Sequence, residues 1–297
     1  MKRRVLMPSD ARGARGAAGV ARAQDTTGMA ATAPVAAATA PRHRSTYAAA
    51  LRAEVLKGRR AAPRKIALLA PLPCCLLGAL ASGAIPGFSA GFIGFGTYGW
   101  AYWYTLGLPV AAALLVASVA NIDAKLRGRA VLGLAIDPAA VWWAKCAYAA
   151  ALLVCANMII AVCSCVLNLC GGNAPSVLAS LASALVVSVG SLWMVPAGLA
   201  LATRAGMLVG IAVPMLGALA IGIGLGNSGL WWALPPAVMF RAPSPFTGVA
   251  FSGIPLQAGD PLLVIDAAWV LGVVLALCVG LGAMALGARW FAKLEVR

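Results

Sequence analysis

The chain contains very long runs without a single charged residue. No Asp, Glu, Lys or Arg occurs over the 57 residues of Ile66–Ile122 or the 58 residues of Cys146–Thr203, and Ala205–Phe240 adds a run of 36. A helix crosses a bilayer core about 30 Å thick with about 20 apolar residues. Each of the two longer runs can therefore hold two spans joined by a turn. Gly and Pro clusters at Pro86-Gly87 and Gly171–Pro175 mark where those turns fall.

The pattern predicts an all-α membrane protein with six transmembrane helices. The expected spans are 66–85, 100–120, 144–169, 176–202, 206–225 and 261–287. Composition agrees, because 62% of the residues are hydrophobic and only 10% are charged. Soluble domains carry about 25% charged residues, so a water-soluble enzyme is excluded.

The basic residues lie almost entirely on one side of the predicted membrane. The net charge of +15 would by itself suggest a nucleic-acid partner. With the N-terminus in the cytoplasm, however, 22 of the 23 Lys and Arg residues fall in inner segments, and only Arg241 falls in an outer one. Inner loops of membrane proteins carry this excess. We therefore predict an N-in/C-in topology and no nucleic-acid partner.

The N-terminal 62 residues divide into two parts. Residues 1–43 are rich in Ala, Arg and Gly, and we expect a disordered basic tail. Residues 44–62 differ, because Tyr47, Leu51 and Val55 recur on one helix face. This predicts an amphipathic helix lying on an anionic inner leaflet. The alternative is a soluble helix that leads into the first span.

A few polar residues stand at or inside the span boundaries. Asp137 and Asp260 each precede a Pro, a pattern typical of helix N-caps. Asp266 is the one acid within a predicted span, and it is either a substrate-path residue or a solvated acid at the outer end. The eight Cys are interpreted as small buried apolar residues. The alternative is an outer disulfide involving Cys163, Cys165 or Cys170.

Catalytic signatures are absent. The single histidine, His43, lies in the predicted tail, and no phosphate-binding G-x-x-x-x-G-K-[ST] loop occurs. Gly94–Gly99 matches G-x-G-x-x-G, but no strand–helix context surrounds it. The sequence therefore predicts neither an enzyme nor a bound metal or cofactor.

The inner segment 121–138 mixes charges with apolar residues. Its charged members are Asp123, Lys125, Arg127, Arg129 and Asp137. We interpret it as a short helix that docks on a cytosolic partner, with a solvated charged loop as the alternative.

Several short motifs resemble the permease subunits of ABC transporters for lantibiotic (bacteriocin) immunity. They begin with the aromatic run Trp100-Ala-Tyr-Trp103-Tyr104 ahead of Pro109, and Asp123-Ala-Lys125 follows the second span. Further pieces are Leu132-Gly-Leu134, Asp137-Pro138 and Trp142-Trp143-Ala-Lys145, together with Leu51-Arg-Ala-Glu54-Val-Leu-Lys57 before the first span. The resemblance covers residues 44–297.

The resemblance implies a type-2 ABC exporter in a bacterial cell membrane. Residues 121–138 would couple to a separate ATPase subunit that binds ATP and Mg²⁺, residues 227–259 would carry short re-entrant helices, and a second permease subunit would complete the transporter. A lantibiotic-type peptide would be the substrate. Trp100, Tyr102, Trp103 and Tyr104 would then be outer-side contacts, although anchoring at the membrane interface is the simpler interpretation. The alternatives are export of a lipid, drug or polysaccharide, and a membrane interaction protein without transport.

Overall fold

A computed structural model describes residues 47–81, 95–125, 137–170 and 176–294. The predicted tail 1–43 and most of the inner segment, residues 126–136, lie outside the described residues. Within the described ranges the chain is helical, with no strand beyond an isolated bridge between Val249 and Pro255. The all-α fold class is confirmed.

The described residues form twelve α-helices, which are numbered in chain order. They are α1 (Tyr47–Lys57), α2 (Ala62–Leu69), α3 (Pro71–Ala81), α4 (Phe95–Tyr102), α5 (Leu108–Lys125), α6 (Pro138–Cys170), α7 (Val177–Ser191), α8 (Met194–Ala205), α9 (Met207–Leu225), α10 (Pro235–Arg241), α11 (Ser244–Thr247) and α12 (Ala267–Leu294). Short 3-10 turns occur at Gly58–Arg60, Trp231–Ala233 and Pro261–Leu263, and a π-helical turn at Trp103–Gly107 joins α4 to α5.

Six of these helices or helix pairs are long and apolar enough to cross a membrane. We number them spans one to six: Ala62–Leu80, Tyr98–Ile122, Pro138–Cys170, Val177–Ala205, Met207–Leu225 and Ala267–Lys293. This confirms the predicted number of spans. Three starts differ from the prediction by more than two residues: span one begins four residues earlier, span three six residues earlier and span six six residues later.

Side-chain caps explain where spans three and six begin. Asp137 accepts a hydrogen bond from the Ala139 amide at 3.0 Å, so the helix starts at once after it. Asp260 caps only the 3-10 turn Pro261–Leu263. Asp266 then accepts from the Trp269 amide at 2.7 Å and caps α12. The Asp260-Pro261 pair is therefore an N-cap, as predicted, but it caps the separate 3-10 turn and not span six.

Span four is broken in its middle. The Leu192 amide donates to Val189 O and the Val195 amide to Leu192 O, three residues back instead of four, and Pro196 has no amide hydrogen to donate. Span five follows after Gly206 alone, whose φ of 93° favours glycine. A Cβ on Gly210 would lie 2.5 Å from Ala202 Cβ, so spans four and five approach closely at this hairpin.

Contacts between helix ends define one end of the bundle, which we call the basic end. Arg64 bonds Tyr148, Asn121 bonds Met207, and Trp142 stacks edge-on against Trp290. The starts of spans one, three and five therefore lie beside the ends of spans two, four and six. The described basic side chains at this end are Arg52, Lys57, Arg59, Arg60, Arg64, Lys65, Lys145, Arg204, Arg289 and Lys293. Among the described residues only Arg241 lies at the opposite end, which we call the return end.

Candidate functional site

A buried ion cluster joins α1 to span three at the basic end. The Glu54 carboxylate, which is 2% exposed, accepts a hydrogen bond from Lys57 Nζ at 2.9 Å and from Lys145 Nζ at 3.2 Å. Lys145 is itself buried, at 6% exposure. Burying a charge is costly unless it is paired. The two lysines therefore allow Glu54 to point into the protein and hold α1 against span three.

A second contact fixes the same segment beside the ion cluster. Arg64 Nε donates to Tyr148 Oη at 3.2 Å, and Arg64 Nη2 donates to the Val55 carbonyl at 2.8 Å. Gly58 lies directly on Tyr148, because a Cβ at Gly58 would meet the phenol ring. Residues from α1, the Gly58 turn and span one are thus held on one turn of span three.

The predicted interfacial helix corresponds to α1, and its packing against span three determines which of its faces is buried. Ala50 and Glu54 are buried, Leu51 is half-buried, and Tyr47 and Val55 are exposed. The face that packs on the protein is therefore the one bearing Glu54, and the predicted apolar stripe stays largely uncovered. Binding of this stripe to a membrane surface remains a prediction.

Most of the predicted coupling residues have side chains outside the described part of the chain. Asp123 and Lys125 belong to the last turn of α5, but their side chains lie outside the described part, as do Arg127 and Arg129 entirely. Asp137 is exposed and caps span three. Lys145 follows Asp137 by eight residues, about two helical turns. The ion cluster therefore stands two turns along the helix that leaves the inner segment.

A buried hydrogen-bond chain crosses the middle of the bundle. Trp103 Nε1 donates to Asn157 Oδ1 at 2.8 Å, and Asn157 Nδ2 donates to Ser188 Oγ at 2.8 Å. Ser188 Oγ donates in turn to the Ala184 carbonyl. Asn157 is fully buried, and each polar group in the chain has a partner. Spans two, three and four are therefore joined at one level by polar side chains.

The π-helical turn that supplies Trp103 also holds the return end. Tyr104 Oη lies 3.2 Å from both the Val249 and Ala250 carbonyl oxygens, and Thr105 Oγ1 donates to the Phe251 carbonyl at 2.9 Å. A π-helical turn widens a helix locally and is frequent at functional sites. Three consecutive side chains of this turn thus contact span three and the segment before span six.

The aromatic residues predicted as outer contacts or interface anchors are buried in protein. Trp103 and Tyr104 have no exposed surface, Trp100 is 2% exposed, and only Tyr102 is exposed. Trp100, Trp103 and Tyr104 therefore contact protein in the described bundle, and their role as outer-side contacts or interface anchors stays a prediction. Trp142, near the start of span three, is also buried and donates to the Met284 carbonyl at 2.9 Å. Aromatic residues near a span end serve helix packing equally well.

A short helix, α10, is inserted among the span ends at the return end. All the central residues of α10 are buried, including Val238, Met239 and Phe240. Two helical glycines make room for it, because a Cβ on Gly190 would lie 2.7 Å from Met239 Cα and one on Gly222 would lie 2.5 Å from the Phe240 ring. The short helices expected in residues 227–259 are present.

Arg241 ends α10 in a partly buried position. Its guanidinium lies 4.6 Å from the Trp231 ring centroid, and Nη1 donates to the Gly226 carbonyl at 3.3 Å. Desolvation lowers the pKa of Arg241, and the carboxylates of Asp266 and Asp260 oppose that shift. Asp266 is exposed outside span six and bonded to a backbone amide. Asp266 is thus an exposed acid at the return end, and a substrate-path role for it stays a prediction.

No metal or thiol chemistry is assembled in the described ranges. All eight cysteines are free thiols, so the alternative of an outer disulfide is not realised. No group of three or more His, Cys, Asp or Glu residues there is placed to hold a metal ion.

Sequence reasoning missed Asn157, Ser188, Tyr148 and Gly58. A signal existed for Asn157, an amide in the middle of a 33-residue apolar helix, where polar side chains commonly bond a neighbouring helix. The contact between Tyr148 and Gly58 depends on how the helices pack and leaves no pattern in the sequence. Comparison with known proteins does not identify further functional residues, because no protein-family model, curated protein or solved structure matches this chain.

Proposed function

We propose that this chain is the permease subunit of an ABC exporter that expels lantibiotic-type peptides and thereby protects its host. Two permease subunits, identical or paralogous, pair with two cytosolic ATPase subunits that bind ATP and Mg²⁺. The basic end faces the cytoplasm, in agreement with the positive-inside rule.

The observation that carries the proposal is the order of elements. A helix packed against the bundle precedes six spans, and a buried helical segment separates spans five and six. This is the order that the resemblance implies for a type-2 exporter permease. The chain has no nucleotide-binding loop of its own, so a partner must supply ATP hydrolysis.

The ion cluster offers a path for coupling. The inner segment 121–138 contacts the ATPase, and span three leaves that segment as a continuous helix. Because Glu54 and Lys145 hold α1 on span three, a movement of the inner segment displaces both elements together. The Trp103–Asn157–Ser188 chain then transmits the movement of span three to spans two and four.

Recruitment of the ATPase tests the coupling assignment. The full chain is co-expressed with an ABC ATPase subunit from the same host, either unchanged or with Lys125, Arg127 and Arg129 replaced by Glu. A matched control replaces Arg204, Arg289 and Lys293 by Glu, which reverses three charges at the same end. We expect the first variant to lose ATPase co-purification and the control to keep it. Unchanged recruitment and ATP hydrolysis in the first variant contradict the assignment.

A protection assay tests the substrate. Co-expression with the ATPase in a sensitive host should raise the inhibitory concentration of a lantibiotic-type peptide and leave the peptide in the medium. Protection only against unrelated drugs, or altered lipid or polysaccharide export, would favour a different substrate. Purification without any ATPase partner would favour an interaction protein without transport.

A further inference from the structure

The turn between α1 and span one presents a cluster of exposed cations. Arg59, Arg60 and Lys65 are exposed and make no ion pair with an acid in the described part of the chain. We call residues 58–65 the basic turn. Glu54 is the one acid of residues 47–81, and it is buried against Lys57 and Lys145. The positive charge of the basic turn is therefore left facing outward.

The backbone at the basic turn is also suited to an anion. Span one begins at Ala62 without a side-chain cap, and within the described residues the N–H groups of Ala62 and Arg64 have no acceptor. The first N–H groups of a helix carry partial positive charge and bind phosphate groups readily. Here they lie within a few residues of the exposed guanidinium groups of Arg59 and Arg60.

The apolar surroundings place this charge at a membrane boundary. Leu56 is 68% exposed just before the turn, and Leu68 and Leu69 are more than half exposed about two turns into span one. A phosphate bound at the turn would thus have exposed leucines beside it for acyl chains. A soluble anion would use the cations but would leave these leucines unused.

The basic turn is held in a fixed position. Gly58 packs on Tyr148, and Arg64 is bonded on both sides of the turn, to Tyr148 and to the Val55 carbonyl. The Ala61 amide donates to the Gly58 carbonyl at 3.2 Å and closes the turn itself. Cations on a fixed scaffold lose less conformational entropy when a ligand binds.

We propose that the basic turn is a binding site for an anionic phospholipid, with the lipid phosphate at Arg59, Arg60 and the start of span one. Because Tyr148 and Lys145 lie on span three, an occupied site also stabilises the contact of α1 with that span. This proposal needs only a membrane-embedded chain, so it stands whether or not the chain belongs to an ABC exporter.

Lipid retention by the purified full chain tests the proposal. Native mass spectrometry compares bound phosphatidylglycerol with phosphatidylcholine of the same acyl chains. The test variant combines Arg59→Gln, Arg60→Gln and Lys65→Gln. The matched control combines Arg204→Gln, Arg289→Gln and Lys293→Gln, which removes three exposed charges from the same end.

The unchanged chain and the control should prefer phosphatidylglycerol, and the test variant should lose that preference by tenfold or more. A basic residue near an anionic surface contributes about fivefold in affinity. The loss of affinity from three substitutions is therefore large enough to measure. Equal loss in the control would mean a general charge effect and would overturn the site. Competition by inorganic phosphate as strong as by the lipid would overturn the lipid assignment. The unfolding temperature in phosphatidylcholine should be the same for both variants, because every changed side chain is exposed.

Discussion

At the scale of single residues, Glu54 and Lys145 depend on each other because both are buried charges. Glu54→Gln removes the carboxylate from beside two ammonium groups, and breaking a buried pair in this way costs about 3 kcal/mol. We expect a lower thermal unfolding midpoint in detergent. The double variant Glu54→Gln, Lys145→Gln should lose less stability than the sum of the single losses. Arg52→Gln on the exposed side of α1 is the control, and an equal loss there would show that the cluster contributes nothing.

The Trp103–Asn157 hydrogen bond is a second pair that can be tested at this scale. Trp103→Phe keeps an aromatic ring but removes the donor to Asn157. Hydrogen bonds between transmembrane helices contribute about 0.6 kcal/mol on average and up to about 1.7 kcal/mol, so we expect a loss of about 1 kcal/mol.

The control for Trp103→Phe is Trp143→Phe. Trp143 is half-buried, and its indole makes no hydrogen bond within the described residues. Thermal unfolding of Asn157→Leu alone and combined with Trp103→Phe gives the coupling energy of the pair. A coupling energy near zero would contradict a bond between the two side chains.

At the scale of elements, the insertion of α10 depends on glycines that the neighbouring spans present to it. Gly190→Ala places a methyl group within 2.7 Å of Met239 Cα, a backbone atom that cannot rotate away. Overpacking of this kind costs about 1–3 kcal/mol. Gly217→Ala is the matched control in span five, because nothing lies within 4 Å of its Cβ position.

Only one of the two glycine variants should lower the stability of the protein. Alanine is a better helix former than glycine by about 1 kcal/mol, so Gly217→Ala should be neutral or stabilising while Gly190→Ala destabilises. Thermal unfolding of both proteins measures the difference. Equal shifts would mean that α10 does not press against span four at Gly190.

The elements also show which parts of the structure a sequence can predict. Long charge-free runs predict membrane helices, because a helix pairs its backbone N–H and C=O groups within the segment where the bilayer core offers no water, and six candidate spans are found. Their exact starts are harder, because Asp260 and Asp266 are both caps and only one of them begins span six. The burial of Trp103 and the pairing of Glu54 with Lys145 depend on which helix faces which, and residues 91 positions apart leave no local pattern.

At the scale of the whole molecule, the basic end and the return end differ in charge more sharply than any single element suggests. Packing brings six helix ends together at the basic end, and Arg241 is the one described basic residue at the other. This asymmetry predicts that the basic end faces the cytoplasm, because the opposite orientation would require all these cations to cross the bilayer. The partly buried Arg241, over Trp231 and near two acids, offers little free charge to oppose this orientation.

Thiol labelling in intact cells tests that orientation directly. Cys170 is exposed at the end of span three, on the return end, and Lys293 is exposed at the basic end. One variant keeps Cys170 as its sole cysteine, and a second carries Lys293→Cys with all native cysteines changed to Ser. A membrane-impermeant maleimide added outside should label the first variant in intact cells and the second only after permeabilisation. The reverse result would place the basic end outside, and it would exclude both a cytosolic ATPase at residues 121–138 and an inner-leaflet lipid at the basic turn.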